Sequence, residues 1–278
     1  MSTPLREHDL NAYLRRVAFQ GRPSPDLETL RQLHRCHPQA IAFENLSTLM
    51  GESVPLELDA LVDKLVGAGR GGYCFEHNGL FAAVLETLGF EVTTLAARVS
   101  WGREPGRVGG RTHMLMSVRI AGRDFICDVG FGGVTLNMPL LLEVDVEQAG
   151  PQERFRMVMR NDGEYELFIE LSDGWQSMYR FDLQPQGPGD YEAMNRHVST
   201  HRDSPFIANL MAARRTAEGR HALSNTRLRT YRGVAVIRSR QLGNVAELRG
   251  VLGAEFGIRL PEHGGLDAAL ARIVAHDA

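Results

Sequence analysis

The apolar positions change period once along the chain, near residue 90. Before that point they recur at helical spacing. Leu10, Tyr13, Leu14, Val17 and Ala18 follow the i, i+3, i+4, i+7, i+8 stripe of one helix face. Ser24-Pro25 reads as an N-cap with proline at the first helical position, and Leu27, Leu30 and Leu33 continue the stripe. A third helix carries Leu58, Leu61, Val62 and Leu65 and breaks at Gly67 and Gly69. A fourth opens at Tyr73-Cys74, buries Phe81, Val84, Leu85 and Leu88, and ends at Gly89. These helices are expected to pack as a bundle.

From Glu91 the pattern shortens to strands. Val92 to Trp101, His113 to Ile120 and Arg123 to Phe131 are rich in β-formers, and Ala121-Gly122 turns the last two into a hairpin. Phe155 to Arg160, Tyr165 to Leu171 and Trp175 to Phe181 follow, divided by Asn161-Asp162-Gly163 and Asp173-Gly174. Closely spaced strands with hairpin turns predict an antiparallel sheet or barrel. PQGPGD at 185–190 marks a boundary, and Leu228 to Arg238 holds one or two more strands. Asn244-x-x-Glu247 then begins a helix bearing Leu248, Leu252 and Phe256, and Leu266 to His276 forms a last one.

Composition narrows the class. At 278 residues, 43% hydrophobic and 23% charged, the chain can bury a sizeable core. Thirty-one basic against 34 acidic residues lack the surplus that phosphate contacts to nucleic acid require, so no nucleic-acid partner is expected. No apolar run approaches the roughly 18 residues of a membrane span, and the start MSTPLREHDLNAYLRR carries charges where a signal peptide would need its apolar stretch. A cytoplasmic protein without a membrane partner is the expectation. Three cysteines, Cys36, Cys74 and Cys127, make no disulfide framework and leave the question of whether one is reactive.

Chemistry concentrates in three segments. In Arg70-Gly71-Gly72-Tyr73-Cys74-Phe75-Glu76, glycines followed by a helix put Cys74 in the first turn. Free N–H groups and the positive end of the helix dipole there favour a thiolate and could hold an oxyanion. The plain alternative is a glycine turn before a helix that buries a cysteine. In Thr112-His113-Met114-Leu115 the imidazole heads a strand, where it could accept the thiol proton or simply face solvent. In Cys127-Asp128-Val129-Gly130-Phe131-Gly132-Gly133, Asp128 falls in an apolar strand and needs a partner. His113 on the adjacent strand is the natural one; capping the glycine turn is the other use of Asp128.

Together the three segments resemble the arylamine N-acetyltransferases. RGGYCFE is similar to that family's nucleophile signature, and THMLM and CDVGFGG follow in the family's order and spacing. Tyr13-Leu14-Arg15-Arg16-Val17 resembles its first-helix motif, and Ile41-Ala42-Phe43-Glu44-Asn45-Leu46 its I-P-F-E-N-L, with Ala42 in place of proline. NRHVSTHRDSPF, from Asn195 to Phe206, is similar to the segment entering the family's third region.

The resemblance implies an α+β fold with a cysteine-protease-like catalytic core: a helical bundle over 1–90, an antiparallel β-barrel over 91–190 and an α/β lid over 191–278. It implies a Cys74-His113-Asp128 triad that moves acetyl from acetyl-coenzyme A to arylamines, arylhydroxylamines or arylhydrazines through an acetyl-cysteine. Phe43 and Phe131 match positions lining the acceptor pocket, and Arg16, Glu44 and Arg70 match a charged cluster steadying the catalytic helix. Read from the residues themselves, Arg103, Arg107 and Arg111 lie in a glycine-rich loop and could meet coenzyme A phosphates or be solvated. Gly130, Gly132 and Gly133 would let a backbone approach the cofactor. His34, Cys36 and His37, or Cys74 with His77, give no full zinc ligand set, so no metal is expected. Three rivals keep the same residues: a cysteine hydrolase or amidase with water as acceptor, an amide synthase of the same family, and a binding module whose cysteine is inert.

Overall fold

The computed structural model describes residues 4–104, 109–262 and 264–277, which leaves Arg107 outside the described residues. Helices Glu7–Arg16 and Leu27–Ala40 pack on Cys74–Thr87. Leu30, Leu33, Ile41, Phe81, Val84 and Leu85 share one core with Val118, Phe125 and Cys127 of the following sheet. The second helix starts later than the Ser24-Pro25 signal predicts. Its cap is Asp26, whose carboxylate accepts the Thr29 N–H at 2.8 Å, while Ser24 hydrogen-bonds that carboxylate from outside. The third helix is one α-turn, Leu58–Leu61, that widens into a π-helix over Val62–Gly67. Cys74–Thr87 has no exposed face over its first three turns: from Cys74 to Leu85 every residue but Gly79 is buried, the polar Glu76, His77 and Asn78 included. Gly89, at φ +88°, ends it as expected.

Eight antiparallel strands form a nearly closed barrel in the order Leu140–Leu141, Arg123–Cys127, His113–Ile120, Glu91–Val99, Gly174–Phe181, Tyr165–Leu171, Arg154–Met159, Glu147–Ala149. The two edges meet through Gln148, whose amide accepts the Leu141 N–H and donates to the Leu141 carbonyl, both at 2.8 Å. Ala121 and Gly122, at φ 49° and 76°, make the predicted hairpin. The next strand ends at Cys127 rather than Phe131. Asp128 therefore stands just beyond the sheet, because its carboxylate takes the Gly130 N–H at 3.0 Å and turns the chain.

Residues 185–190 lead directly into the next helix. Helix Pro188–Thr200 begins inside PQGPGD, with Asp190 accepting the Gly187 N–H. A second sheet then runs Phe43–Glu44, Met211–Arg215, Gly219–Ser224, Arg227–Arg232, Ala235–Gln241. Its first strand comes from the N-terminal part, with Phe43 opposite Ala213. Helices Val245–Ala254 and Gly265–Asp277 cover it through Leu248, Leu252 and Leu270, and Phe256, expected on the first helix, packs with them from just beyond its end. A buried cluster ties this sheet to the barrel. Glu153 accepts from Arg215 at 2.7 Å, Arg220 at 3.0 Å and Asn137 at 2.9 Å, and Arg215 also donates to the Thr135 carbonyl. Among the described residues no helix is long and apolar enough to cross a membrane.

Candidate active site

Cys74 is the first residue of its helix and is 3% exposed. The turn before it is held by charge. Glu76 accepts the Tyr73 N–H at 3.0 Å and pairs with Lys64 at 2.6 Å, while Arg70 reaches Glu44 at 2.8 Å. Lys64 is the only lysine in the chain. Burial pushes the Glu76 carboxyl up, and Lys64 opposes that rise. Arg16 does not join this cluster; it donates to the carbonyls of Ala40 and Leu65 instead. Gly71 and Gly72 are required by space, since a Cβ would lie 2.0 Å from the Ala42 oxygen or 2.5 Å from the Glu76 carboxylate.

His113 heads its strand behind Cys74, and the thiol faces the Thr112 carbonyl at 3.7 Å. His113 Nε2 donates to Asp128 Oδ2 at 2.7 Å. Burial alone would push the imidazole pKa down. The Asp128 charge, its hydrogen bond and a hydrogen bond with the Cys74 side chain overcome this and raise it to about 10. Nδ1 is the nitrogen left for the thiol. Burial works against the Asp128 charge too, but His113, Asn78 and the Gly130 N–H hold its pKa below the usual carboxylate range. The three side chains thus form a dry assembly able to keep a proton on the imidazole and present a thiol to an electrophile.

Residues that the motifs do not announce complete this floor. Asn78 Nδ2 donates to Asp128 Oδ1 at 2.9 Å, and His34 Nε2 accepts the Asp128 N–H at 3.2 Å. The Tyr179 ring lies 5.1 Å from the imidazole, with its phenol pKa raised by burial and by the Asp128 charge. Beneath the helix runs a buried chain: Tyr13 O–H to His37 Nδ1, His37 Nε2–H to His77 Nδ1, and His77 Nε2–H to the Ala42 carbonyl, at 2.8, 2.8 and 3.1 Å. The carbonyl can only accept, which sets the direction of every proton in the chain. Among the described residues no group of three or more His, Cys, Asp and Glu side chains could hold a metal ion.

Above the thiol opens a cleft of about 960 Å³. Phe43, Trp101, Phe131 and Phe206 supply aromatic surface, with Phe131 edge-on to His113 at 5.1 Å. Gly130, Gly132, Gly133 and Arg103 also line it. Gly130 comes close to the Cys74 helix, since a Cβ there would lie 3.0 Å from Cys74 Cα and 2.9 Å from His77 Cβ. Arg111 pairs with Asp182 and is not part of the lining. The far wall is strand Arg227–Arg232, where Arg227, Arg229 and Tyr231 point into the cleft at period two while Leu228 is buried behind.

A family model described as N-acetyltransferase matches residues 26–264. An arylamine N-acetyltransferase of Mycolicibacterium smegmatis is 39% identical over 263 residues, covering 93% of this chain and 95% of the relative. The Escherichia coli (strain K12) arylamine N-acetyltransferase is 36% identical, covering 96% and 95%. The chain belongs to the arylamine N-acetyltransferase family. The solved Mycobacterium marinum member in complex with CoA superposes with a TM-score of 0.91 at 38% identity, covering 95% of this chain and 99% of that one. The α+β architecture expected from the chain is the family's fold, and the protein is an enzyme of that family.

Proposed function

We propose that the protein moves the acetyl group of acetyl-CoA to the nitrogen of arylamines, arylhydroxylamines or arylhydrazines by a ping-pong path through an acetyl-cysteine on Cys74. The observation that carries this reading is the buried His113–Asp128 pair beside a first-turn cysteine at the floor of a long aromatic cleft. The Cys74 thiolate attacks the thioester carbonyl and forms a new C–S bond. The oxyanion is met by the first-turn N–H of Cys74, which has no intrahelical acceptor. As the intermediate collapses, the CoA sulfur leaves and takes the proton from His113. A neutral arylamine then attacks the acetyl-cysteine, His113 accepts the amine proton, and the Cys74 thiolate is released. The path calls on no metal.

Phe43 and Phe131 would flank the aromatic acceptor. Gly132 and Gly133 admit the cosubstrate backbone. Arg103, Arg227 and Arg229 line the cleft without an ion pair among the described residues, and they suit the CoA phosphates better than Arg111 does. The same reading keeps the division into 1–90, 91–190 and 191–278, with the last part as a lid, and a cytoplasmic setting where thiols stay reduced.

The test is acetyl-CoA consumption with aniline, phenylhydrazine or phenylhydroxylamine, alongside mass analysis of the enzyme. The parent should gain one acetyl group on Cys74 and lose it faster to an amine than to water. Cys74→Ala should abolish both steps while melting close to the parent, because the core rests on Phe81, Leu85 and their neighbours. Substantial turnover by a folded Cys74→Ala protein sinks the covalent path. Faster transfer to water than to any amine makes the enzyme a hydrolase.

A further inference from the structure

Asn78 stands one helical turn beyond Cys74 on the same face and is completely buried. An amide offers two N–H donors and a carbonyl, and all three functions are used. Nδ2 donates to the Met114 carbonyl at 2.7 Å and to Asp128 Oδ1 at 2.9 Å, and Oδ1 accepts the Val129 N–H at 3.0 Å. Met114 follows His113 on its strand, and Val129 follows Asp128 on its loop. One side chain therefore ties together the helix of the thiol, the strand of the imidazole and the loop of the carboxylate. It also decides how the carboxylate faces. Asn78 and the Gly130 N–H both take Oδ1, which leaves Oδ2 for His113 Nε2.

An apolar residue would fill the same space without desolvating an amide, so packing alone gives no reason for this one. We propose that Asn78 is a positioning residue for acyl transfer, fixing the rotation of the Asp128 carboxylate and the distance between the His113 strand and the Cys74 helix. The proposal rests on the reading that Cys74, His113 and Asp128 act together.

Two variants test it. Asn78→Ala removes all three bonds. Asn78→Asp keeps the size and the acceptor for Val129, but sets a second carboxyl against Asp128. Two such groups share a proton and repel once it is lost. The titratable groups around Asp128, namely His113, Tyr179, His34 and Cys127, are untouched in both.

The readouts are the melting curve, iodoacetamide alkylation of Cys74 against pH, and the rate of acetyl-enzyme formation from acetyl-CoA. For Asn78→Ala we expect acetyl-enzyme formation to fall about 100-fold, the scale of a displacement of about 1 Å between reacting groups, with kcat/KM for acetyl-CoA falling by the same factor. For Asn78→Asp we expect alkylation and acetylation to fall further below the parent as pH rises. Folded variants whose pH curves overlay the parent's overturn the proposal, as does a lowered melting temperature with unchanged rates per folded molecule. Failure of both variants to fold assigns Asn78 to stability and also overturns it. Alkylation needs neither acetyl-CoA nor amine, so a parent that transfers no acetyl defeats the proposed function while the alkylation curves still decide Asn78.

Discussion

The floor and the far wall of the cleft use charge in opposite ways. On the floor, Cys74, His113 and Asp128 are at most 3% exposed, and both Asp128 oxygens are hydrogen-bonded. On the far wall, Arg227 and Arg229 are exposed and carry no ion pair among the described residues. A charge buried beside its partner shifts a pKa by units, whereas one in water is screened within about 10 Å. The floor therefore suits proton transfer at fixed geometry. The far wall suits a charged ligand that must arrive and leave, since a solvated guanidinium carries little desolvation cost while it waits.

Asp128→Asn should break this contrast most severely, because it removes charge from the floor and leaves its shape. The new amide oxygen can still accept from Asn78 and Gly130, which turns its NH2 toward His113 Nε2. His113 must then accept at Nε2 and carry its proton on Nδ1, the nitrogen facing the thiol, where it can no longer act as a base. The corresponding change in a serine protease costs about four decades in turnover, and a loss on the order of three to four decades is expected here. Iodoacetamide alkylation of Cys74 at mildly acid pH should slow as well. A folded Asp128→Asn protein whose alkylation-versus-pH curve overlays the parent's would leave Asp128 only the role of turning the chain at Gly130.

The two regions also differ in how far they could be read from the chain. Cys74, His113 and Asp128 lie in short stretches whose local chemistry is unusual: glycines before a helix, a histidine at a strand start, an aspartate among apolar residues. Their supports are different. Asn78, His34 and Tyr179 look like ordinary members of a helix or strand, and their roles arise from contacts with residues 36, 94 and 66 positions away at Met114, Asp128 and His113. Part of the second sheet escapes the pattern for a second reason, although Leu228 to Arg238 reads as strand and the structure places Arg227–Arg232 and Ala235–Gln241 there. Strands Met211–Arg215 and Gly219–Ser224 have buried arginines where alternation would put apolar residues, and the compensating Glu153 sits across the fold. The Cys74 helix shows the reverse case: Phe81, Val84, Leu85 and Leu88 mark one face, but the pattern gives no sign that Glu76, His77 and Asn78 are buried too, and the cysteine signature is what singles the helix out.

Replacing Arg227 and Arg229 together by alanine sharpens the comparison from the other side. Exposed ion pairs contribute about 1 kcal/mol or less each, so the KM for acetyl-CoA should rise on the order of tenfold. The turnover number and the melting temperature should stay near the parent's, because neither side chain supports the core. The effect should shrink as salt is added. An unchanged KM at low salt would move the phosphate contacts to another part of the cleft.

The smallest expected effect is a dependence of stability on pH, and its sign separates the floor from the histidine chain beneath it. His113 has its folded pKa raised from 6.5 to about 10. Its contribution is complete below the unfolded value of 6.5 and is lost as pH rises through 10. His34 and His77 are shifted down to about 4, and His37 well below 6.5, chiefly by burial. The contribution of all three is complete above 6.5; that of His34 and His77 is lost as pH falls through about 4, and that of His37 as pH falls well below 6.5. Asp128, held below its usual range, loses its contribution in still more acid solution. Three histidines act on the acid side of 6.5 and one on the alkaline side, where buried Tyr13, Tyr179 and Cys127, all raised by burial, add to the loss, so melting temperature should peak near neutrality. His77→Gln keeps a donor for the Ala42 carbonyl and should flatten the acid limb alone, whereas Asp128→Asn should flatten the alkaline limb by freeing His113 from its charge. An acid limb left unchanged by His77→Gln would mean that the buried chain contributes no proton linkage, and the slope would have to come from carboxylates.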